Sequence, residues 1–294
     1  MGKTNSALLV VCFSALFISA AQASWFWNDF YAFFGQNNVK FPGPKVGRTV
    51  VLSMTNQTGS GFRSYSPYLF GRFSIKIKTM KGYSAGTVTA FHMASNSKNW
   101  CELDYEFLGN VTGQPYNLQT NIFVEGIGNR EQRINLWFDP SAAYHEYTFL
   151  WNQKQVLFLV DTIVIRVFKN QQGLPYLDYQ PMFVYGSEWN GDDWATRGGL
   201  DKINWAYAPF EASFTAFNIH NSCKVKNPLS LNQLHTCYRK ARISTYGQGV
   251  NLSLNKKQIN DLRWIRQKYL TYDYCIDKAR FAGKVPPECR QNWP

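Results

Sequence analysis

Three carboxylates alternate with apolar residues in the short stretch Glu102-Leu103-Asp104-Tyr105-Glu106. Side chains on a β-strand point alternately to opposite faces, so a strand places Glu102, Asp104 and Glu106 on one face. Leu103 and Tyr105 then point to the other face, which we expect to be a core. A helix would turn Asp104 away from the two glutamates, so the pattern brings the acids together only as a strand.

Two glutamates four residues apart can take the two roles of a retaining glycosidase. Their Cα atoms lie about 13 Å apart on a strand, and side chains that lean together close much of that gap. One carboxylate attacks the sugar while the other donates and accepts the proton, at a separation of about 5–5.5 Å between the carboxyl groups. Asp104 fits between them and helps to keep their protonation states different. A strand with solvated acids gives the same pattern, so the pattern alone does not decide.

The residues from about 45 to 220 have the composition of an all-β domain. Residues 70–78 and 155–161 alternate between apolar and polar side chains, and residues 163–168 are rich in β-branched ones. Clusters of Gly, Asn, Asp and Pro separate these runs at short intervals. Many short strands with turn residues between them predict a β-sandwich or jelly roll.

Aromatic residues make up 17% of the chain, which is more than a core alone requires. We expect most of them to fill the sandwich core. Trp189 and Trp194 differ because they stand in a polar, Gly-rich stretch at residues 186–194. A Trp in such a loop is typical of a ligand contact, and its ring can stack on the flat face of a sugar.

The first 23 residues have the pattern of a signal peptide. Lys3 precedes an apolar run at residues 7–20, and a small-residue cleavage site follows at residues 21–23. We therefore predict a soluble, secreted protein whose mature chain begins at Ser24. No other apolar stretch is long enough to cross a membrane, so we expect no membrane anchor.

The cysteines are informative because a secreted protein meets an oxidising environment. One of the six is lost with the signal peptide, and two bridges with one free thiol is the natural arrangement of the rest. Proximity in the sequence favours two bridges: Cys223–Cys237 and Cys275–Cys289. Cys101 is either a nucleophile or a buried free thiol, and the second is favoured because no base stands near it. The cysteine spacings and the four scattered histidines predict no metal site.

Residues 223–294 differ in composition from the predicted jelly-roll domain at residues 24–222. They contain 14 Lys or Arg against 4 Asp or Glu, a net charge of +10 out of +12 for the whole chain. Apolar residues recur at helical spacing within residues 255–270, which predicts one amphipathic helix packed on the sandwich: Ile259, Leu262, Ile265 and Tyr269. The charge suits an acidic extracellular polysaccharide better than nucleic acid, and a solvated basic face explains it equally well.

Together these features resemble the xyloglucan endotransglucosylase/hydrolase family, a plant cell-wall group within glycoside hydrolase family 16. The resemblance covers nearly the whole mature chain. It is carried by the following segments: YLFG at 68–71, SAGTVTAF at 84–91, ELDYEFLGN at 102–110, QTN at 119–121, GNREQ at 128–132, LWFDP at 136–140, DDWATRGG at 192–199, and a tail with YC at 274–275, RF at 280–281 and PPEC at 286–289.

The resemblance implies a concave jelly roll with a C-terminal extension, and it implies a role for each acid. Glu102 corresponds to the nucleophile, Glu106 to the general acid/base, and Asp104 to the residue that assists the nucleophile. The implied glycan contacts are Gln119, Thr120, Asn121, Asn129, Arg130, Glu131, Asp193, Trp194, Gly198 and Arg280. Asn110 corresponds to a glycosylation site of the family, and further sequons stand at Asn56 and Asn251.

Two residues depart from the family pattern at the entrance to the predicted site. The family usually has His-Asp before the first Glu, whereas this chain has Trp100-Cys101. The change removes a polar pair and bears on the reactivity of Glu102 and on donor preference. The change from Ile-Asp-Phe to Leu103-Asp104-Tyr105 is mild. All three acids are kept, so we predict an active enzyme.

The implied function is a xyloglucan endotransglucosylase of the cell wall, or apoplast. Such an enzyme cleaves the β-1,4-glucan backbone of xyloglucan and joins it to another xyloglucan chain. The loop at residues 124–129 lacks the insertion of predominantly hydrolytic relatives, which favours transfer. The alternatives are a hydrolase of xyloglucan or another β-glucan and a non-catalytic binder of wall glycans. We expect a monomer that needs no cofactor and binds no nucleic acid.

Overall fold

The computed structural model describes residues 26–43, 48–226, 230–243 and 253–290. Two antiparallel sheets dominate the fold, and their strands are numbered in chain order. Sheet A has eight strands in this spatial order: β1 Phe30–Phe34, β4 Ser60–Ser64, β14 Phe183–Asn190, β7 Thr87–Ala94, β8 Glu102–Leu108, β9 Asn117–Phe123, β10 Gln132–Asn135 and β17 Leu270–Asp273. The predicted signal peptide and the sequon at Asn251 lie outside the described residues.

Sheet B has seven strands, and a short third sheet joins the extension to the first half of the chain. The spatial order of sheet B is β13 Ile163–Lys169, β12 Gln155–Val160, β11 His145–Trp151, β6 Gly71–Lys78, β15 Phe210–His220, β3 Thr49–Met54 and β2 Val39–Lys40. The third sheet pairs β5, Tyr68–Leu69, with β16, Cys223–Lys224. The predicted β-sandwich is therefore confirmed.

The core lies between the inner faces of sheets A and B. Tyr105 on β8 is fully buried and packs against Phe149 on β11 and Phe158 on β12, with ring centres 4.8 and 5.3 Å away. Its hydroxyl lies 2.9 Å from the carbonyl oxygen of Thr148 and 3.0 Å from that of Leu159. The family that the sequence resembles usually has Phe at this position. The additional hydroxyl of Tyr105 has hydrogen-bond acceptors on sheet B, and these bonds connect β8 to that sheet.

The extension contains two helices, whereas the sequence predicts only one. Helix α3, Lys256–Lys268, has the predicted place; the side chain of Asn255 caps it, and Leu262 and Ile265 are buried. Helix α2, Leu231–Ile243, precedes it, and a four-residue helix α1, Phe26–Asp29, stands before β1. The apolar spacing Leu234, Cys237, Ala241 was a usable signal for α2.

Both disulfides that proximity favoured are present, and both hold the extension. Cys223–Cys237 joins β16 to α2, and Cys275–Cys289 closes the last turns of the described chain. Strand β17 pairs with β10 and so extends sheet A beyond the jelly roll. The extension is thus built into the main sheet, and the boundary at residues 222 and 223 stays a prediction.

Among the described residues, no helix combines the length and apolarity that a membrane span requires.

Glu188 is a buried carboxyl on β14, within the stretch at residues 186–194 that the sequence pattern predicts to be a loop. It is 1% exposed, the hydroxyl of Thr89 donates to its Oε2, and its Oε1 has no hydrogen-bond partner among the described residues. Burial raises the pKa of Glu188 to about 8, and the hydrogen bond from Thr89 opposes that rise. The side chain is therefore a neutral acid at neutral pH.

Replacing Glu188 by Gln should reveal this protonation as a pH-dependent stability difference. Unfolded Glu ionises near pH 4.5 and folded Glu188 near pH 8. The protonated side chain therefore contributes its full share of the folding stability below pH 4.5, and this share is lost as the pH rises to 8. In this window the free energy of unfolding of the wild type should fall by about 1.4 kcal/mol per pH unit relative to that of Glu188→Gln. Urea unfolding at pH 5, 6.5 and 8 measures the difference, and a difference that stays constant with pH would contradict the assignment.

Candidate active site

Strand β8 places the three acids on the outer face of sheet A. The alternating residues Leu103, Tyr105 and Phe107 are fully buried in the core, so Glu102, Asp104 and Glu106 share the opposite face. Neighbouring strands supply the residues directly opposite each acid. On β7 these are Ala94, His92 and Ala90, and on β9 they are Phe123, Asn121 and Gln119.

Glu106 has the environment of a general acid/base. Nε2 of Gln119 donates to Oε2 of Glu106 at 2.7 Å, and Nε of Arg133 donates to Oε1 of Gln119 at 2.7 Å. Burial raises the pKa of Glu106, the hydrogen bond from Gln119 opposes it, and the charge of Glu102 raises it further, to about 7. A carboxyl with this pKa can release and regain a proton near neutral pH.

Asp104 is a neutral acid that donates to Glu102. Burial raises the pKa of Asp104 well above its usual range, and the charges of Glu102 and Glu106 and a hydrogen bond to Glu102 act in the same direction. Nε1 of Trp100 donates to Oε2 of Glu102 at 2.7 Å. Two donors thus converge on Glu102, an arrangement that stabilises and orients a carboxylate anion.

His92 stands beside Asp104 and was missed in the sequence. It lies directly opposite Asp104 on β7, and its ring stacks on Tyr185 of β14 with centres 4.7 Å apart. Burial lowers the pKa of His92, although the charge of Glu102 opposes this. Its position within the alternating strand Phe91-His92-Met93 was the available signal, because a lone polar residue there must leave the core face.

Arg280 of the extension closes one end of the site. Its guanidinium donates to both carboxylate oxygens of Glu131 at 2.6 and 3.1 Å, and to Oδ1 of Asn129 at 2.8 Å. It also donates to the hydroxyl of Tyr272 on β17 at 3.1 Å. The paired geometry with Glu131 fixes the guanidinium plane beside β17, next to the residue that precedes β10.

These groups enclose a cleft of about 560 Å³. The cleft is lined by Glu102, Asp104, Glu106, Gln119, Asn121, Phe123, Glu131, Arg133, Trp194, Tyr272, Asp277 and Arg280. Eight of these twelve belong to the predicted site, and four were not predicted from the sequence: Phe123, Arg133, Tyr272 and Asp277. Phe123 could have been found, since it stands two residues beyond Asn121 on the same strand face. Tyr272 and Asp277 carry no local signal, because the pairing of β10 with β17 spans more than a hundred residues.

The structure places the other predicted glycan contacts outside the lining of this cleft. Thr120 is buried on the opposite face of β9, where its hydroxyl accepts a hydrogen bond from Arg166 at 2.8 Å. Nε of Arg130 donates to Glu288 at 2.6 Å, and Asn129 holds Arg280. These three side chains position neighbouring residues, and their contact with a glycan stays a prediction.

The Trp stretch is partly strand and partly loop. Trp189 belongs to β14, so the expectation of a loop position was wrong for it, whereas Trp194 follows the strand and lines the cleft. Their rings pack 5.9 Å apart. Asp193 is 99% exposed and Gly198 is exposed with φ 71°, so both face solvent beyond the cleft.

The side chains of Trp100 and Cys101 point in different directions: Cys101 into the core and Trp100 toward the site. Cys101 is fully buried in the core, and burial raises the pKa of its thiol to about 11, so it is the buried free thiol that the sequence favoured. Trp100 stacks on Phe123 at 5.6 Å and supplies the N–H to Glu102. The departure from the family pattern therefore keeps one polar group at the first carboxylate.

Asn110 follows β8 at the surface. Its side-chain amide donates to the carbonyl oxygen of Pro115 at 2.9 Å, and its Oδ1 accepts from the backbone N–H of Val111 at 2.9 Å. Asn56 is exposed. Glycosylation of either sequon stays a prediction.

Comparison with known proteins agrees with this geometry. Residues 26–207 match the model of "Glycosyl hydrolases family 16", and residues 244–289 match "Xyloglucan endo-transglycosylase (XET) C-terminus". The probable xyloglucan endotransglucosylase/hydrolase 1 of Solanum lycopersicum is 46% identical over 91% of this chain and 88% of its own length. Xyloglucan endotransglucosylase protein 6 of Diospyros kaki is 46% identical over 84% of this chain and 83% of its own.

Solved structures share the sandwich at lower identity. A β-glucanase of Bacillus licheniformis is 24% identical, with a TM-score of 0.55 over 67% of this chain and 94% of its own. The Crh5 transglycosylase is 21% identical, with a TM-score of 0.51 over 66% of this chain and 79% of its own. These two likenesses concern the fold alone. The family models and the relatives together show that the chain belongs to glycosyl hydrolases family 16, in its xyloglucan endotransglucosylase/hydrolase group.

Proposed function

We propose that the protein is a xyloglucan endotransglucosylase that acts by a retaining double displacement in the plant cell wall. The observation that supports this most directly is the contrast between two glutamates on one strand. Glu106 is a half-buried acid whose pKa is about 7, whereas Glu102 accepts hydrogen bonds from two donors. That contrast suits one proton carrier and one nucleophile.

The proposed reaction has two steps. Glu106 donates its proton to the glycosidic oxygen while Glu102 attacks the anomeric carbon, so the leaving chain departs with the proton and a glycosyl-enzyme remains. Glu106, now a carboxylate, then removes the proton from the hydroxyl of an incoming chain end, which displaces Glu102. Asp104 donates its hydrogen bond to Glu102 and holds the carboxylate in line. A sugar acceptor gives transfer and water gives hydrolysis.

The turn after β9 supports transfer over hydrolysis. Val124 and Ile127 exchange backbone hydrogen bonds of 3.1 and 3.0 Å, and the two residues between them, Glu125 and Gly126, have positive φ. This is a tight two-residue turn within the connection from β9 to β10, residues 124–131, and the loop at residues 124–129 has no insertion beside the cleft. We assign the acceptor to the end of the cleft at Arg280, where Tyr272 and Trp194 offer rings to a sugar. Binding there raises the acceptor's effective concentration against water.

Incubation with xyloglucan and a labelled xyloglucan oligosaccharide tests the activity. We expect label to enter the polymer, and Glu102→Ala to abolish incorporation while xyloglucan binding is retained. Reducing ends that accumulate without incorporation would instead identify a hydrolase. Binding with neither product in the wild type would identify a non-catalytic binder, and a panel of other β-glucans would reveal a different donor.

The pH dependence of transfer should follow Glu106. The first step needs its proton, so the rate should fall as pH rises through about 7. Gln119→Met removes a donor that favours the charged carboxylate, so the pKa of Glu106 should rise and the alkaline limb should move up by about one pH unit. Rate profiles from pH 5 to 9 measure this. An alkaline limb that stays in place in Gln119→Met would contradict the role of this hydrogen bond.

Trp100 should act on the nucleophile through its N–H. Trp100→Phe keeps a ring against Phe123 but removes the donor to Glu102, and a hydrogen bond to a charged group is worth enough to lower kcat by about 10- to 100-fold. We expect the KM for the acceptor to change less than about two-fold, and Trp100→His to recover part of the loss. Cys101→Ser is the matched control, because the thiol does not reach the cleft. Equal losses in Trp100→Phe and Trp100→His would show a packing role instead.

A further inference from the structure

We propose that Gln180 is a positioning residue for the nucleophile, because it holds the loop whose last residues bring the indole N–H of Trp100 to Glu102. This loop, residues 95–101, connects β7 to β8, and we name it the β7–β8 loop. Gln180 lies in the segment that leads into β14 and does not line the cleft, so it acts through its neighbours. The inference rests on the proposed function, in which Glu102 attacks the sugar and needs a fixed orientation.

The side-chain amide of Gln180 binds the β7–β8 loop at three points. Its Oε1 accepts hydrogen bonds from the hydroxyls of Ser95 at 2.6 Å and Ser97 at 2.8 Å. Its Nε2 donates to the carbonyl oxygen of Asn99 at 2.8 Å. Gln180 is only 9% exposed, so little water competes for these bonds. One side chain therefore fixes the beginning, the middle and the end of the loop.

The middle of the β7–β8 loop needs such support because it is exposed. Residues 96–99 are all exposed, so packing against the core contributes little to their order. At the base of the loop, the backbone N–H of Ser95 donates to the carbonyl oxygen of Cys101 at 2.9 Å. The N–H of Cys101 donates back to the hydroxyl of Ser95, also at 2.9 Å. The base is thus closed by Ser95, and Gln180 connects the part above it to the segment before β14.

The same network reaches the turn after β9. Nε2 of Gln180 also donates to the hydroxyl of Tyr179 at 3.2 Å, and that hydroxyl donates to Oε1 of Glu125 at 2.8 Å. The next residue of the turn, Gly126, donates its backbone N–H to the carbonyl oxygen of Trp100 at 2.7 Å. An amide has two donor and two acceptor positions, so Gln180 uses its full capacity in this network.

Trp100 is consequently held by its backbone on both sides. The carbonyl group before it, that of Asn99, is bound by Gln180, and its own carbonyl group is bound by Gly126. With both peptide groups fixed, the Cα–Cβ bond of Trp100 has one direction, which aims the indole N–H at Oε2 of Glu102, 2.7 Å away. A donor prepared in this way does not have to be ordered during the reaction.

A double-mutant cycle with Trp100→Phe tests the proposal, because that variant removes the N–H through which Gln180 acts. Gln180→Met keeps a side chain of similar length without the amide, and it should lower kcat for label transfer about 10-fold. The KM for the acceptor should stay within about two-fold. In the Trp100→Phe background the same substitution should change kcat less than about two-fold, since no N–H remains to be displaced.

Ser97→Ala gives the same comparison should Gln180→Met fold poorly. Ser97 is exposed, so its substitution removes one hydrogen bond to Gln180 without opening the core. It should lower kcat about two- to three-fold in the wild type and leave kcat unchanged in Trp100→Phe.

Gln153→Met is the matched control. Gln153 is also a partly buried glutamine whose Nε2 donates to a backbone carbonyl, that of Tyr238 at 3.1 Å, but it lies in the turn between β11 and β12 of sheet B. Its kcat should stay within about two-fold of the wild type. An equal loss from Gln180→Met in both backgrounds, an equal loss in the control, or no loss at all would overturn the role of Gln180 while label transfer by the wild type still supports the proposed function. Absence of transfer by the wild type would instead refute the proposed function.

Discussion

The burial of one face of β8 is the constraint on which the site depends. Leu103, Tyr105 and Phe107 are fully buried, and each buried side chain of this size contributes about 1.5–3 kcal/mol. A slip of one residue in the register would exchange the two faces and place three acids between the sheets. The cost of burying three carboxyls without partners makes that alternative prohibitive. The burial of the apolar face therefore aligns the acids, and this alignment does not depend on hydrogen bonds among them.

The aligned acids need different protonation states, and residues on and beside the neighbouring strands provide the difference. Each acid is two residues from the next on one face, so repulsion alone would not determine which of the three carries a proton. Gln119 on β9 gives Glu106 a hydrogen bond that limits the rise in its pKa, and buried Asp104 keeps its proton and donates to Glu102. Trp100 adds a second donor to Glu102. Sheet neighbours and one residue just before the strand thus give two equivalent glutamates different environments, which suit the proposed roles of acid/base and nucleophile.

Local pattern predicted the sandwich, the acid-bearing strand, α3 and both disulfide pairs, because each depends on neighbours in the chain. Features that depend on distant pairing were not accessible. Strand β17 joins β10 only in the fold, so Tyr272 and Asp277 could not be recognised as cleft residues. Thr120 shows a subtler limit: it lies in a matching motif between two cleft residues, yet strand alternation turns it to the opposite face. Cys101 likewise follows alternation into the core, whereas its neighbour Trp100 reaches the site.

The two edge strands of sheet A, β17 and β1, bring different residues to the acid-bearing face. At one edge the extension adds β17 beyond β10, and the segment that follows β17 brings Arg280 to the cleft. At the other side, β1 ends the sheet and carries exposed rings on the acid-bearing face. A polymer that crosses the strands meets charged groups together with the ring of Tyr272 toward the extension, and mainly aromatic rings toward β1. This asymmetry gives the cleft a direction, which a transferase needs because its two substrates are chains of the same kind that must be held on opposite sides of one bond.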